Sequence, residues 1–469
     1  MTSMNIFFQI PSSTLGNLQS PFQNNKEQIL LSYISQIAPV TFVSLLHHLT
    51  LKNDHVFYFS QQQENKSFLA VDPLFKKTFK KNEINLLKTE LDELGKKIIS
   101  NQNDFPGVNI PSFYTSIKFP LGKDSQEWSD FGEIDLFIPK IALYQNSEKF
   151  FLISNFFSEG FSHQQDLYNK IDDQITYISE LESKLKNIET PFLVIKDLNS
   201  PNEKDEWIKK ISSTEELINH RVIDKVVISR RVKFEIDSDV NWQQKFHDLN
   251  EKYPQCTNFL LKSGNSIFFG STPEVLAKFS GNNFTTEALA GSMMRGKNKD
   301  EDDLLENDLL NSKKNKAEHD AVIKHLEDSL AKYLTEIEID KSPVAKKLFN
   351  IQHLQTNIHG TLNPGTSMFE IIDSLFPTPA VCGIPVNKSL DLISRLEDFD
   401  RGLFSGLIGW FNLNGYGEFY VTIRSGLIKE KKFFAYAGCG IVKGSDANEE
   451  FEETELKLKP ILSLFSNAD

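Results

Sequence analysis

The chain has 469 residues, 39% hydrophobic and 25% charged, which is enough apolar side chain for a sizeable core in one large unit or two to three average domains. Its formal net charge of −13 argues against nucleic acid or an anionic membrane as partner, and no run reaches the ~18–20 apolar residues of a membrane-spanning helix. Cys256, Cys382 and Cys439 are dispersed and odd in number, and the N-terminus lacks the basic and apolar regions of a signal peptide, so the expectation is a soluble cytoplasmic protein without a disulfide framework.

The first part of the chain carries few residues that suggest chemistry. A helix is expected from Gln28 into the forties, and a second through NEINLLKTELDELGKKII, with Ile84, Leu87, Leu91 and Leu94 on one face. Strands follow in IPSFYTSIKF, EIDLFIPKIALY and KFFLISNFF, the last two joined at Gln145-Asn146-Ser147. An amphipathic helix then carries Leu167, Ile171, Ile175, Ile178, Leu181 and Leu185. Residues 1–200 read as scaffold and 201–469 as the catalytic region, the two intertwined in one structural unit.

After LNSPNEKDE come a helix at Trp207–Asn219, the strand KVVISRRVKFEI, and a hairpin of NFLLK and SIFFG around Ser263-Gly264-Asn265. A long charged helical region covers Glu301–Leu334. Strands are expected in LFNIQHLQTNI, SGLIGWFN, GEFYVTIRSGLI and FFAYAGCGIV, and a last helix at about Glu450–Leu464. Hairpins with clustered helices, in place of a βα alternation, favour an α+β fold.

Chemistry concentrates near the end. Arg424 in a strand and the Gly438-Cys439-Gly440 turn offer a guanidinium and closely approachable backbone to a carboxylate. Glu450 and Glu453 share a helix face with Lys457. By itself such a triplet is a solvated ion pair; clustered glutamates with oxygen-only donors call for a hard cation, Mg²⁺. Lys225 opens a strand, where a lysine is normally solvated but would become a usable base if buried. Glu274 follows Ser271-Thr272-Pro273, which reads as a helix start and accounts structurally for the glutamate. Glu318, on the charged helix, reads by itself as surface. His353 and His359, like His319 and His325, lack metal-ligand spacing and read as structural. There is no nucleophile elbow or evident Cys–His pair.

DKVVISRR, FFGSTPEVL, EALAGSMMRG, KAEHDAV, LFPTPAVCGIP, FDRGLFSGLIGW, YVTIR, YAGCGIV and EEFEETELK, in that order from about Trp207 to Leu464, resemble the chorismate-utilising enzymes, and most closely the isochorismate synthases. The resemblance implies two antiparallel sheets stacked as a sandwich with peripheral helices. It implies chorismate as substrate and Mg²⁺ held by Glu318 and Glu453 with Glu450 nearby. Arg424 and the backbone around Gly438 and Gly440 would take one carboxylate, Lys457 another or a metal-bound water, and Gly291, Ser292, His353, Ala380 and Val381 would line the ring pocket.

Within the family, water-using members carry lysine in the strand motif, as Lys225 does here, whereas ammonia-using members tend to have glutamine. The nucleophilic lysine of aminodeoxychorismate synthases is replaced by Ala290. The implied reaction is attack of water at C2 with Lys225 as base, and loss of the C4 hydroxyl with Glu274 as acid, by a monomer without an amidotransferase subunit. Salicylate synthase is the nearest alternative, followed by an anthranilate or aminodeoxychorismate synthase component and a non-catalytic chorismate-binding protein. Ser292 stands where threonine is commoner, and Cys439, Ala447 and Gly402 also depart from the usual pattern without removing a catalytic group. Nothing in the residues separates a menaquinone from a siderophore pathway.

Overall fold

The computed structural model describes residues 29–465 except 85, 124, 162–163, 185–194 and 221. Its organising element is a ribbon of two long strands, Lys66–Phe79 and Ile134–Asn146, paired antiparallel from Lys66↔Asn146 to Phe79↔Ile134. Pro73 faces Pro139 in this ladder, and the register shifts between Pro73 and Phe75. Neither proline can donate to a ladder, and the bulge divides the ribbon between two sheets.

One sheet runs from Ile98–Ser100 through Leu30–Ile37 and Lys149–Phe157 to the ribbon, and on through His55–Gln61, Thr257–Ser263, Ser266–Thr272, Ser425–Lys429 and Lys432–Val442 to Lys225–Ile236. The other continues from the far half of the ribbon through Phe113–Ile117, Leu407–Phe411, Tyr416–Val421, Val275–Ser280 and Asn283–Met294 to Ile351–Leu362. Early and late segments interleave: His55–Gln61 pairs with Thr257–Ser263, and Phe113–Ile117 with Leu407–Phe411.

The inner faces meet in an aromatic layer. Phe57, Phe59, Phe68, Phe268 and Tyr436 of the first sheet join Tyr114, Ile408, Trp410 and Tyr420 of the second. Phe68 lies 5.2 Å from Trp410 and Phe59 5.1 Å from Tyr420, ring centre to ring centre. Helices cover the outer faces. Leu45, Phe246 and Ile461 pack from Phe42–Lys52, Trp242–Lys252 and Ala447–Leu462 on one side. Leu87, Leu326, Phe369 and Ile393 pack from Leu86–Gly95, Lys313–Leu330, Met368–Leu375 and Val386–Leu396 on the other. The architecture is the α+β sandwich of antiparallel sheets; the one parallel pairing among the described residues joins Leu30–Ser32 to Ile98–Ser100.

Several local expectations give way to long-range pairing. The segment after Gln28 is a strand, Leu30–Ile37, with partners on both sides, and the helix begins only at Phe42. The helix expected over residues 82–99 is confined to Leu86–Gly95, after which the chain returns to the sheet as Ile98–Ser100. The charged region is two helices, Lys299–Asn311 and Lys313–Leu330, because the Ser312 side chain accepts the Asn315 N–H and caps the second. The amphipathic helix spans Gln164–Lys184, and Leu185 lies outside the described residues.

Candidate active site

A cavity of about 230 Å³ opens where the Lys225–Ile236 and Lys432–Val442 strands meet the last helix, and every residue expected at the site except Val381 lines it. Lys225 comes from the first of these strands, and Gly438 and Gly440 from the second. Gly291 and Ser292 lie on Asn283–Met294, Glu318 on Lys313–Leu330, His353 on Ile351–Leu362, and Ala380 in the connection after Met368–Leu375. Glu450, Glu453 and Lys457 project from Ala447–Leu462. Val381 lies against a smaller adjoining cavity of about 50 Å³ instead, sharing its wall at Ala380, Arg424 and Lys457.

The glycines at 438 and 440 do not form a turn. They sit inside the Lys432–Val442 strand, paired with Ser229 and Val227. From Ala437 onward this strand has a ladder partner on one side only, which leaves a backbone edge toward the cavity. A Cβ at Gly440 would stand 2.6 Å from Lys225 Cε, so glycine is what lets the Lys225 side chain cross the strand. Lys225 is buried and donates to Glu318 Oε1 at 2.7 Å. Gly291 has φ of +76°, and its Cα faces Asn315, where a Cβ would come within 3.0 Å of another.

Glu274 is not in a helix. It occupies the link between the Ser266–Thr272 and Val275–Ser280 strands, because the Pro273 region leaves one ladder and enters the next. Its N–H donates to Thr272 Oγ1 at 3.2 Å and its C=O accepts from the Val421 N–H at 3.2 Å. Burial, then the charge of Glu287, raises its carboxyl to about 7, against the opposing pull of Arg424, Thr378 and Lys225. A carboxyl in that range can hold a proton near neutrality and release it.

Arg424 is not on a regular strand either. The Tyr416–Val421 strand ends before it, and Arg424 takes φ of +52° immediately ahead of Ser425–Lys429. That left-handed kink is costly for a long side chain, and it aims the guanidinium into the cavity. The group is 7% exposed, yet among the described residues it makes no ion pair; its Nη2 donates only to His353 Nε2, at 3.3 Å. With Nε2 accepting, the proton of this imidazole lies on Nδ1 and is given to Ser292 Oγ at 2.9 Å. Burial, then the charges of Arg424, Lys457 and Lys346, keep His353 neutral by lowering its pKa well below the usual value.

The opposite wall is acidic and compensated. Glu318 pairs with Lys225, Glu453 with Lys457 at 2.6 Å, and Glu450 with Lys314 at 3.8 Å. Burial, then the charge of Glu453, raises the Glu450 carboxyl. Glu453 is also pushed up by burial, but Lys457, Arg424 and Lys314 outweigh this and its net shift is downward. The donors fit a hard divalent cation in type, being oxygen only and mutually repelling. They do not form a closed cage: among the described residues no group of three or more His, Cys, Asp or Glu is close enough to hold a metal as it stands.

Lys314, Asn315, Leu289, Ile423 and Glu449 also line the cavity and were not expected there. Asn315 follows Ser312, whose capping role was the available signal. Behind the site, the fully buried Arg401 bridges the Glu397 carboxylate and the carbonyls of Val381 and Val227, while Glu397 Oε1 accepts from the Ser229 N–H. This holds the Ala380 segment against the Lys225 strand.

The sandwich and this cavity define a chorismate binding enzyme: the profile of that family matches residues 16–466, and the chain belongs to it. It is 32% identical to the isochorismate synthase MenF of Bacillus subtilis over 344 residues, 73% of this chain and 72% of that one. Its fold is similar to that of the menaquinone-specific isochorismate synthase from Escherichia coli, with a TM-score of 0.73 and 21% identity over 97% of this chain and 99% of that one. It is also similar to that of anthranilate synthase component I from Streptococcus pneumoniae, with a TM-score of 0.71 and 19% identity over 86% of this chain and 92% of that one. No described helix is long and apolar enough to cross a membrane.

Proposed function

We infer that this chain is an isochorismate synthase, converting chorismate to isochorismate by attack of water at C2 and departure of the C4 hydroxyl. The observation that carries this reading is the buried Arg424 guanidinium, left without a carboxylate partner in the same cavity as Lys225 and as Glu274, a carboxyl raised to about 7. A charge buried in this way wants an anionic ligand. The fold alone does not set the reaction, because it is shared with an anthranilate synthase component. The relative covering 73% of the chain supports the isochorismate reading, as do Lys225 and Ala290, at the positions where the resemblance separates water from ammonia.

In this scheme Arg424 and the open strand edge at Gly438–Gly440 take one chorismate carboxylate, and Lys457 orients the other. Gly291, Ser292, the neutral His353 and Ala380 shape the ring pocket. Lys225, entering the step as the free amine with its ion pair to Glu318 given up, accepts the proton of the attacking water, the ring double bonds shift, and Glu274 delivers its proton to the C4 oxygen as water leaves. Lys225 loses and Glu274 regains a proton between turnovers, so atoms and charge balance. Glu318, Glu453 and Glu450 would hold Mg²⁺, whose chemistry is to withdraw electron density from the ring carboxylate. With water as its nucleophile the enzyme needs no amidotransferase subunit, and in this reading it works as a monomer, as the family resemblance implies.

Incubating purified protein with chorismate and Mg²⁺ and resolving the products by chromatography tests this. Isochorismate should accumulate. Accumulated salicylate, ammonia-dependent anthranilate or aminodeoxychorismate, or no turnover would each overturn the reading.

A further inference from the structure

A second cavity, of about 490 Å³, shares the wall at Pro273 with the first, and the catalytic scheme uses none of its polar groups. Glu287, from the Asn283–Met294 strand, lies in it with Lys346 and Gln355. Lys346 Nζ donates to Glu287 Oε1 at 2.8 Å and to Oε2 at 3.0 Å, and Gln355 Nε2 also donates to Oε2. The same Lys346 Nζ donates to the Pro273 carbonyl at 2.8 Å, while Glu287 Oε1 accepts from the Val275 N–H at 3.2 Å. The two backbone groups that bracket Glu274 are thus tied to one half-buried ion pair.

That arrangement is more than a salt bridge closing a hairpin. Glu274 lies where two ladders fail to join, with the register irregular between Val275 and Ala277, so strand pairing alone does not fix its direction. We propose that Glu287, clamped by Lys346 and Gln355, is a positioning residue for Glu274, holding its flanking peptide groups and placing a negative charge behind its carboxyl. The proposal rests on the reading of Glu274 as the proton donor. The charged and polar groups facing Glu274 are Glu287 on one side, with Lys346 behind it, and Arg424, Lys225 and Thr378 on the others. Glu287 makes ionisation of Glu274 harder; Lys346 offsets Glu287 from behind. Removing one or the other should therefore act in opposite directions.

The test is the pH profile of kcat/KM for isochorismate formation in wild type, Glu287→Gln, Glu287→Asp and Lys346→Gln. Activity should fall as pH rises through about 7, as Glu274 loses its proton. Glu287→Gln should move that limb down by roughly half to one pH unit, and Lys346→Gln should move it up. Glu287→Asp, which keeps the charge but shortens the reach, should leave the limb in place and lower kcat with KM little changed. Coincident limbs in wild type and Glu287→Gln, or movement of both charge-removing variants in the same direction, would overturn the proposal. If Glu287→Gln does not fold, Lys346→Gln and Gln355→Leu carry the test, the latter expected to lower kcat without reversing the limb's direction. A ¹³C NMR titration of carboxyl-labelled glutamate, with the Glu274 signal identified by its loss in Glu274→Gln, follows the same group without turnover. If wild type makes no isochorismate, the proposed function falls and this titration alone decides the inference.

Discussion

Arg401 and Arg424 are both buried, and they are treated in opposite ways. Arg401 has a carboxylate, Glu397, four residues earlier in the chain with both side chains fully buried; it also has two backbone carbonyls, and the Phe119 ring at 4.5 Å. Arg424 has one long contact to a neutral imidazole and takes a left-handed backbone to make it. A buried cation with every nitrogen hydrogen-bonded can hold its surroundings together, whereas one with donors unused costs stability and gains it back only from a ligand. The difference separates the frame of this molecule from its site without reference to any relative.

The comparison breaks if the two arginines respond alike to removal. Arg401→Ala should strand the Glu397 charge and cost about 3–5 kcal/mol, read as loss of folded protein or a large fall in denaturation midpoint. Arg424→Gln should leave the midpoint unchanged or raise it while lowering kcat/KM by ~10³-fold, the scale of one buried charge-paired contact. Glu274→Gln sharpens the same contrast between building and function. Its carboxyl is raised from 4.5 to about 7, so ionisation is resisted in the folded state, and stability is lost as pH rises across that window. The amide should therefore stabilise the protein above pH 7 by up to about 3 kcal/mol, by the conversion of about 1.4 kcal/mol per pH unit, while kcat falls at least ~10²-fold. Thermal melts at pH 5 and pH 8 beside steady-state rates would check both signs.

Smaller changes probe how finely the site is set. Gly440→Ala places a methyl against the Lys225 side chain and should cost roughly tenfold in kcat with little change in melting, because the neighbour is a flexible chain end. Ser292→Ala removes the acceptor of the His353 Nδ1–H and should raise KM a few-fold, on the order of one neutral hydrogen bond.

Much of the frame and the membership of the site were legible in the sequence, because hairpins and ordered motifs leave local marks. What escaped depended on partners distant in the chain. HVFYFSQ at residues 55–61 lies buried between two neighbouring strands, so its side chains show no clean alternation of apolar and polar. The Gly438-Cys439-Gly440 segment looked like a turn because glycine commonly marks one; here it is a strand made bare for Lys225 to cross. The alternation of YVTIRSGLI concealed the break at Arg424, since a positive φ in a non-glycine residue has no residue-type signal. Thr-Pro-Glu reads locally as a helix start, and only the two ladders on either side decide otherwise. Lys314 and Asn315 reach the cavity because their helix packs on the Asn283–Met294 strand, a contact no periodicity encodes.

The central claim is that water, activated in this cavity, attacks C2 of a chorismate held by Arg424. Turnover of chorismate by the purified enzyme with Mg²⁺ in ¹⁸O-labelled water, followed by mass spectrometry of the product, tests it most directly. The account predicts isochorismate carrying one solvent oxygen at the C2 hydroxyl, with the C4 oxygen lost. Isochorismate without the label, or a product with no new hydroxyl at C2, would contradict it.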